Sequence, residues 1–286
     1  MKGIGPGVEE IRARYLRRAL PGPVHGLARA AWKVGGKPLL GIATSLLERA
    51  QDFHFPAKSG WKLEWKLDML LGLYEKGTVA ACAKSIRPGM TVLDVGAHIG
   101  YFTKRFARDV GGEGRVYAFE PSHENVGLLR ANVARCSNVT IVEKALSDGS
   151  GRGNLFVSSG SKGGDHSLFR QSHTIAAQPV ELVALDDFWN AIGRPRIGLI
   201  KMDIEGGEPR ALHGARQLIR DHERLVLIVE FSPVNLRSSG TGPAEFLALL
   251  SALGFTYSAI GEEGELLSAL PPLDGDQYVN VLCRKG

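Results

Sequence analysis

The chain has 286 residues, of which 44% are hydrophobic and 23% charged, values that are ordinary for a folded protein and exclude wholesale disorder. A net charge of +5 suggests a nucleic-acid partner, but residues 1–70 hold 12 Lys or Arg against 6 Asp or Glu, which leaves 23 against 24 for the rest. The main part of the chain is therefore neutral, and its composition gives no support to a nucleic-acid enzyme.

Cysteine and hydropathy patterns narrow the class of protein further. Cys82, Cys136 and Cys283 lack metal-ligand spacing, so we predict reduced, packed thiols rather than a disulfide framework or a zinc site. No apolar run reaches the roughly 18 residues that a membrane span needs. The N-terminus carries acids and arginines where a signal peptide would be apolar, so we predict a cytoplasmic protein.

Proline and glycine interrupt the first 60 or so residues at PGPVHG, KVGGKP and HFPAKSG, with short helical stretches between them. We predict a helical, partly mobile leader over residues 1–69 and one main domain over residues 70–286. The basic RARYLRR run is typical of a solvated helix face. Its docking on an anionic membrane surface or an acidic partner is the alternative.

From residue 91 onward, apolar strands alternate with amphipathic helices. We predict strands at residues 91–96, 114–120, 139–146, 197–204, 224–231, 255–260 and 278–284. We predict helices at residues 100–109, 122–135, 209–221 and 243–253. The pattern indicates an α/β fold, a doubly wound and mostly parallel seven-stranded sheet, with its ligand at the carboxyl ends of the strands.

Residues 150–180 break this alternation. The segment is rich in Ser, Gly and His, and its short alternating pieces predict hairpin strands and a loop. It lies between the third and fourth predicted strands, so we expect it above the ligand edge of the sheet.

The turn DVGAHIG, residues 94–100, follows the first strand. Asp94 ends the strand, Gly96 allows a tight turn and Gly100 opens the helix, whereas a nicotinamide-binding turn would read G-x-G-x-x-G. His98 stands where a close-packed middle glycine would be. The acid before the turn would repel a pyrophosphate and suits a cationic or amine-bearing ligand.

Glu120 ends the second strand, 120 − 94 = 26 positions after Asp94. A carboxylate there can accept hydrogen bonds from both ribose hydroxyls of NAD or of S-adenosylmethionine. The turn favours S-adenosylmethionine, because Asp94 can balance its ammonium and sulfonium groups. The alternative is that the glycines only make a turn and that Glu120 caps the next helix.

Five segments of the chain together resemble the FkbM-type methyltransferases, a family of S-adenosylmethionine-dependent enzymes with the Rossmann-like class I methyltransferase fold. The segments are VLDVGAHIGYFT, GRVYAFEPSHENVGLLRANV, NVTIVEKALSDGSG, LDDF and IGLIKMDIEGGEPRALHGA. The resemblance covers about residues 70–284 and implies S-adenosyl-L-methionine as cofactor and S-adenosyl-L-homocysteine as product.

The resemblance also implies a set of cofactor-binding residues. The turn at the methionine part would comprise Asp94, Gly96, Ala97, His98 through its backbone, Gly100 and Thr103. Glu120 would take the ribose, with Pro121 and Asn125 shaping that edge, and Ala145, Leu146 and Ser147 would border the adenine. Tyr74 and Glu75, in GLYEKG, would cover the cofactor, and Asp203 would face its methyl group.

The fourth predicted strand exits into LIKMDIEGGEPR, where Asp203, Glu205 and Glu208 fall within six residues. Acids near a helix N-terminus are favoured by its dipole, which by itself would explain one or two of them. Three acids together with Lys201 exceed that need. We therefore predict that Asp203 and Glu205 face the methyl group and the acceptor.

Methyl transfer to an alcohol needs a positioned base or a metal, since a hydroxyl is a weak nucleophile at neutral pH. We take Asp203, Glu205 and His166 as the catalytic candidates; for His166, a surface-loop histidine without a chemical role is the alternative. Asp165, His166, Asp203 and Glu205 together have the chemistry to hold a divalent cation, but their spacing does not establish one, and we predict no metal site.

These inferences favour a methyltransferase that acts on a hydroxyl oxygen of a small molecule, sugar or glycan. The Asn-Pro-Pro-Tyr type of segment that many amino-group methyltransferases place after the fourth strand is absent. The alternatives are a catalytically silent cofactor-binding module, a methyltransferase for another acceptor class, and a nicotinamide-dependent reductase, which the Asp94 turn argues against.

Overall fold

The computed structural model describes residues 37–56, 61, 63–158, 166–170 and 174–285. These residues divide into two compact units. The smaller unit holds the described residues up to His54 together with Trp61 and residues 63–74, and the larger holds residues 55–56 and the described residues from Glu75 onward. Residues 1–36 of the predicted leader, including the basic RARYLRR run, lie outside the described residues. The boundary between residues 69 and 70 stays a prediction.

The smaller unit is helical. It contains α1 (Lys37–Gln51) and α2 (Leu63–Leu70). The side-chain amide of Gln51 donates to the carbonyl oxygen of Leu70 at 2.6 Å, which ties the end of one helix to the end of the other. In the described part of the chain, none of the helices combines the length and apolar character needed to cross a bilayer.

The larger unit contains the described strands and the remaining described helices. The strands are β1 (Thr91–Val95), β2 (Arg115–Phe119), β3 (Val139–Val142), β4 (Ala145–Ser147), β5 (Gly151–Ser158), β6 (Thr174–Ala184), β7 (Ile197–Met202), β8 (Val226–Phe231), β9 (Phe255–Ala259) and β10 (Val279–Lys285). The helices are α3 (Lys76–Ser85), α4 (Tyr101–Val110), α5 (His123–Asn132), α6 (Leu185–Ala191), α7 (Glu208–His213), α8 (Arg216–Asp221), α9 (Pro233–Ser238) and α10 (Pro243–Ala252).

Seven strands form the main sheet, in the order β3-β2-β1-β7-β8-β10-β9. Its strands pair in parallel except β10, which runs antiparallel to both β8 and β9. The predicted seven-stranded, mostly parallel α/β sheet is confirmed. Because the strand order changes direction at β1 and β7, the carboxyl edge there is where such a fold binds its ligand.

A second, three-stranded sheet has the order β4-β6-β5. β5 and β6 are antiparallel, as predicted for residues 150–180. The single strand predicted over residues 139–146 is wrong, because Glu143 and Lys144 separate β3 from β4 and the two strands belong to different sheets. Glu and Lys are depleted in strands, so these two residues were the sequence signal for that change of sheet.

The helix predicted over residues 209–221 is also two helices, α7 and α8. Gly214 lies between them, and a Cβ atom there would lie 2.2 Å from the carbonyl oxygen of Ser147. The close approach of another backbone therefore interrupts the helix. The short helices α6 and α9 were not predicted, since each has only six or seven residues and shows little periodicity.

Successive residues of the central strands face opposite sides of the main sheet. One side packs a large core that includes Val95, Met202 and Val229. On the other side, β1 pairs Asp94 with Lys201 of β7. Glu230 and Asn280 share that side at the same edge. Lys201 pairs with Ile228 of β8, and Glu230 lies two residues further along that strand. Glu230 in turn pairs with Asn280 of β10.

Candidate active site

The turn after β1 runs against the exit of β7. Gly96 and Gly100 have φ values of +82° and +90°, and His98 has +52°. A Cβ atom on Gly96 would lie 1.9 Å from the carbonyl oxygen of Asp203, so this position has no room for a side chain. The backbone N–H groups of Gly96 and Ala97 donate to the carbonyl oxygen of Phe119 on β2. The glycine pattern thus brings three strand ends together.

Asp94 is fully buried at this turn. Its Oδ2 accepts a hydrogen bond from the hydroxyl of Thr103 at 2.5 Å, while its Oδ1 is buried without a hydrogen-bond partner. Burial raises the pKa of Asp94. The charge of Lys201 and the Thr103 hydrogen bond lower it, but burial outweighs them. An orphaned carboxylate oxygen at this place fits a ligand with an ammonium or sulfonium group. Thr103 is itself buried and acts here as the donor that holds Asp94.

Glu120 follows β2 and is also buried. Its Oε2 accepts from the backbone N–H of His98 at 2.8 Å, and its Oε1 accepts from the backbone N–H of Ser122 at 2.9 Å and from the amide of Asn125 at 3.3 Å. Burial raises its pKa to about 7 against these three hydrogen bonds. A carboxylate has about four acceptor positions, so capacity for a ribose hydroxyl remains.

The two interpretations of Glu120 are therefore compatible. Ser122 precedes α5, and its hydrogen bond to Glu120 is the helix-start contact of the alternative interpretation. The same carboxylate reaches back to His98 in the β1 turn. Pro121, which the resemblance places at this edge, is half-buried between Glu120 and Ser122.

The other residues implied by the resemblance lie in several places. Ala145, Leu146 and Ser147 form β4 and are buried, and Leu146 packs into the main core. Tyr74 lies in the smaller unit and Glu75 in the larger. Their predicted contacts with the adenine and with the cofactor's outer side stay predictions.

Lys201 and Asp203 join β7 to the site. Lys201 is 2% exposed, and its Nζ lies 2.9 Å from Oδ2 of Asp203 and 4.7 Å from the centre of the Phe102 ring. Burial by itself would lower the pKa of Lys201, but the carboxylates of Asp203, Glu75 and Asp94 outweigh it and raise that pKa above its ordinary value. Lys201 is therefore a charged ammonium that partners Asp203.

Glu205 occupies a strained position in the turn after β7. Its φ is +54°, in a region that residues other than glycine seldom adopt, and Gly206 next to it has +96°. The Glu205 side chain accepts a hydrogen bond from the Asn235 amide at 2.5 Å, and its backbone carbonyl accepts one from the Ser167 hydroxyl at 2.7 Å. Contacts from two distant segments thus hold the predicted catalytic Glu205 in place.

Glu230 is a site residue that the sequence analysis missed. One carboxylate oxygen each from Asp203, Glu205 and Glu230 lie within 4.8 Å of one another, and these three residues are called the acidic cluster below. The pKa of Glu230 is raised well above its ordinary value, mainly by burial and to a smaller extent by the nearby carboxylates. A lone acid inside the apolar strand VLIVEF was the sequence signal for it.

Asn280 and Glu75 border the acidic cluster. The Asn280 amide donates to Oε2 of Glu75 and to the hydroxyl of Thr78, both at 3.0 Å. Glu75 has a φ of +45° and immediately precedes α3. Glu208, the third acid of the predicted group, accepts from the backbone N–H of Ile204 at 2.9 Å and closes the turn. It has the structural role that acids near a helix start were expected to have.

His166 belongs to the described stretch 166–170, and Asp165 lies outside the described residues. The neighbouring Ser167 contacts the backbone of Glu205, and Phe169 lies under the Arg210 guanidinium at 5.1 Å. This part of the 150–180 segment therefore lies beside the acidic cluster, as expected. A catalytic role for the His166 side chain stays a prediction.

Comparisons with known proteins identify the family of the chain. Residues 94–257, more than half of the chain, match the model of the Methyltransferase FkbM domain. Over 150 residues the chain is 27% identical to the 2-O-methyltransferase NoeI of Sinorhizobium fredii, covering 46% of this chain and 60% of that protein, which is less than two thirds of its length. Over 203 residues it is 29% identical to the 31-O-demethyl-FK506 methyltransferase FkbM of Streptomyces tacrolimicus, covering 61% of this chain and 75% of that protein.

A solved structure of a SAM-dependent methyltransferase from Aquifex aeolicus also matches, with 17% identity and a TM-score of 0.41 over 74% of this chain and 92% of that chain. A likeness of that size supports no conclusion about chemistry. The family match supports a conclusion about chemistry, and the buried carboxylates of Asp94 and Glu120 fit it. The chain belongs to the FkbM methyltransferase family, with the Rossmann-like class I fold and S-adenosyl-L-methionine as its cofactor.

Proposed function

We propose that the protein transfers a methyl group from S-adenosyl-L-methionine to a hydroxyl oxygen of a small molecule, a sugar or a glycan, releasing S-adenosyl-L-homocysteine. The observation that carries the proposal is the acidic cluster, which lies at the carboxyl edge next to the Asp94 turn. Both relatives described above carry an O-methyltransferase name or an O-demethyl substrate name, which supports an oxygen acceptor.

The cluster supplies the chemistry that a hydroxyl acceptor needs. The cofactor provides an electrophilic methyl group, and the acceptor must lose a proton as its oxygen is methylated. Lys201 partners Asp203 and Asn235 partners Glu205, whereas Glu230 has its carboxylate next to both. We assign the proton-accepting role to this group, in which Asp203 and Glu205 are the predicted members.

Charge and position support a small acceptor over a nucleic acid. After residue 70 the chain has 23 basic and 24 acidic residues, so no excess of positive charge faces a phosphate backbone. The edge of the site near Glu205 is bordered by Ser167 of the 150–180 segment. We propose that this segment shapes the acceptor pocket.

The cofactor half of the proposal is tested by calorimetric titration of the full chain with S-adenosylmethionine, S-adenosylhomocysteine and NADH. Both sulfur ligands should bind and NADH should not. Asp94→Ala and Glu120→Ala should each weaken binding by at least about tenfold, the effect of losing a charged hydrogen-bond partner. Binding of NADH without a response to the sulfur ligands would overturn the proposal.

The acceptor half is tested with S-adenosylmethionine that carries a labelled methyl group. The protein is incubated with panels of hydroxylated small molecules, sugars and oligosaccharides, and products are mapped by mass spectrometry and NMR. We expect the label on oxygen, and no transfer by Asp94→Ala. Label found on nitrogen or on RNA would replace the acceptor class, and cofactor binding without transfer to any acceptor would favour a silent binding module.

A further inference from the structure

We propose that the acidic cluster, Asp203, Glu205 and Glu230, is a binding site for a hard divalent cation of the Mg²⁺ or Mn²⁺ type. The chemical role of the ion rests on the proposed O-methyl transfer, but the site itself rests on geometry alone. This inference departs from the sequence analysis, which predicted no metal site because the spacing of Asp165, His166, Asp203 and Glu205 did not establish one.

The distances within the cluster suit such an ion. The three carboxylate oxygens lie within 4.8 Å of one another. Ligands on opposite sides of an ion lie about 4.2 Å apart for Mg²⁺ and up to about 5 Å apart for Ca²⁺, and neighbouring ligands lie closer. All three are carboxylate oxygens, which hard cations prefer. An ion of the Mg²⁺ type would require the three oxygens to draw together to about 4.2 Å or less.

A second observation concerns the partners of Glu230. Glu230 is 6% exposed. Within the described residues its carboxylate accepts no hydrogen bond and forms no ion pair. A buried polar group without a partner is costly, and a buried unpaired carboxylate more so. Since its oxygen lies within 4.8 Å of those of Asp203 and Glu205, a cation placed among the three would supply a partner.

Asn280 repeats this signal on the neighbouring strand. It is 7% exposed, pairs with Glu230 in the sheet, and keeps its Oδ1 buried without a hydrogen-bond partner. Residues directly opposite each other on antiparallel strands project from the same side of the sheet. An unpartnered amide oxygen, which is itself a group that binds hard cations, therefore lies beside the cluster.

The local charges also leave room for a divalent ion. Three carboxyl groups lie near one described ammonium group, that of Lys201. Lys201 lies 2.9 Å from Asp203 Oδ2. A divalent ion would add positive charge to this predominantly acidic group.

The backbone prepares the site in advance. Glu205 is kept at a φ of +54° by side-chain contacts from Asn235 and Ser167. Strained residues of this kind persist where the surrounding structure holds them, and they concentrate at ligand-binding sites. The turn therefore orients Glu205 toward the other two carboxylates before any ion arrives.

The ion would assist the methyl transfer without entering its balance. It would polarise the O–H bond of the acceptor and make its proton easier to lose. The acceptor oxygen forms its bond to the methyl carbon as the bond from sulfur to that carbon breaks, and the electron pair stays on sulfur, which becomes a neutral thioether. The hydroxyl proton passes to a carboxylate of the site and then to water.

The test uses the full chain, treated with EDTA and desalted, and titrated with MnCl₂ while electron paramagnetic resonance follows the free Mn²⁺. We expect one ion per chain, with and without S-adenosylhomocysteine. Glu230→Gln and Glu205→Gln should each weaken Mn²⁺ binding at least about tenfold. Glu223→Gln, an exposed acid just before β8, is the matched control and should bind as the wild type does.

Two results would overturn the site: a wild-type chain that binds no stoichiometric Mn²⁺, or Glu230→Gln and Glu205→Gln chains that bind it as tightly as the control. Calorimetry with S-adenosylhomocysteine confirms that each variant is folded, since Asp94 and Glu120 are unchanged in them. If Glu230→Gln does not fold, the wild-type titration and Glu205→Gln decide the question. Mn²⁺ binding without O-methylation would retain the site and reject the proposed function. O-methylation at full rate in EDTA would retain the function and reject the ion's role in it.

Discussion

The turn after β1, which is called the cofactor turn here and includes the neighbouring Glu120, and the acidic cluster lie at one edge of the same sheet. The two regions are built differently. At the cofactor turn, Asp94 has its donor nine residues away, in Thr103, and Glu120 has donors two and five residues away. In the acidic cluster, Glu205 is held by Asn235, 30 residues away. Nearby, Asn280 reaches Glu75, 205 residues away.

The cofactor turn and the acidic cluster also differ in how the charges of their carboxylates are balanced. Each carboxylate of the cofactor turn has a protein donor within nine residues of it in the chain, and Glu120 also accepts from the backbone N–H of His98, 22 residues away. The acidic cluster depends on β7, β8 and β10 lying side by side, and its described buried cation is Lys201. The cluster should therefore tolerate changes in charge less well than the cofactor turn, and the following predictions test that expectation.

Removal of Lys201 should have the largest effect. Lys201→Met keeps the length of the side chain but leaves Asp203 and the neighbouring Asp94 without their cation, so we expect a loss of about 3–5 kcal/mol in the free energy of unfolding. Urea unfolding followed by circular dichroism measures it. Lys144→Met is the control, because its ion pair with Glu181 has side chains 43% and 61% exposed and should contribute little to stability. Equal losses in the two variants would contradict the expectation.

Gly96→Ala should break the contact between the two regions. The new Cβ would meet the carbonyl oxygen of Asp203 at 1.9 Å, and φ is +82°. We expect a loss of about 3 kcal/mol in unfolding free energy, from the clash and the strained backbone together. Gly89→Ala, with φ +83° but nothing within 4 Å, measures the backbone part by itself and should cost about 1–2 kcal/mol. If the two variants melt alike, the close approach at Gly96 has no energetic weight.

Thr103→Val should weaken the cofactor turn from within. It removes the hydroxyl that donates to Asp94 while keeping the shape of the side chain. We expect a loss of about 2 kcal/mol in unfolding free energy, the usual contribution of a buried hydrogen bond to a charged group. Thr103→Ser retains the hydroxyl and should recover most of this loss. A Thr103→Val chain as stable as the wild type would show that Asp94 needs no local donor.

The pH dependence of cofactor binding should depend on Glu120, whose pKa is raised to about 7 by burial. Ribose hydroxyls donate to the ionised carboxylate, so affinity for S-adenosylhomocysteine should be highest above pH 7 and fall as the pH drops through 7. One pH unit below the pKa, the loss should approach about tenfold. Calorimetry at pH 6, 7 and 8 measures this trend. Glu120→Gln should bind more weakly and show a much smaller pH dependence; a slope identical to that of the wild type would assign the titration elsewhere.

Sequence patterns predicted the structure best where neighbouring residues decide it. The alternation of apolar strands with helices predicted the seven strands of the main sheet. The prediction was wrong for residues 139–146, where Glu143 and Lys144, residue types that are depleted in strands, mark the change from one sheet to another. It was also wrong for residues 209–221, where Gly214 makes room for the backbone of Ser147.

The sequence by itself determined the family and the fold class, because both follow from short-range patterns of glycine, acid and apolar residues. Only the tertiary structure decided the acidic cluster. In the sequence, Glu230 is one acid in an apolar strand. In the fold, β8 lies beside β7, and the Glu230 oxygen lies within 4.8 Å of those of Asp203 and Glu205. Strand order and register set that distance, and neither is encoded in the residues next to Glu230.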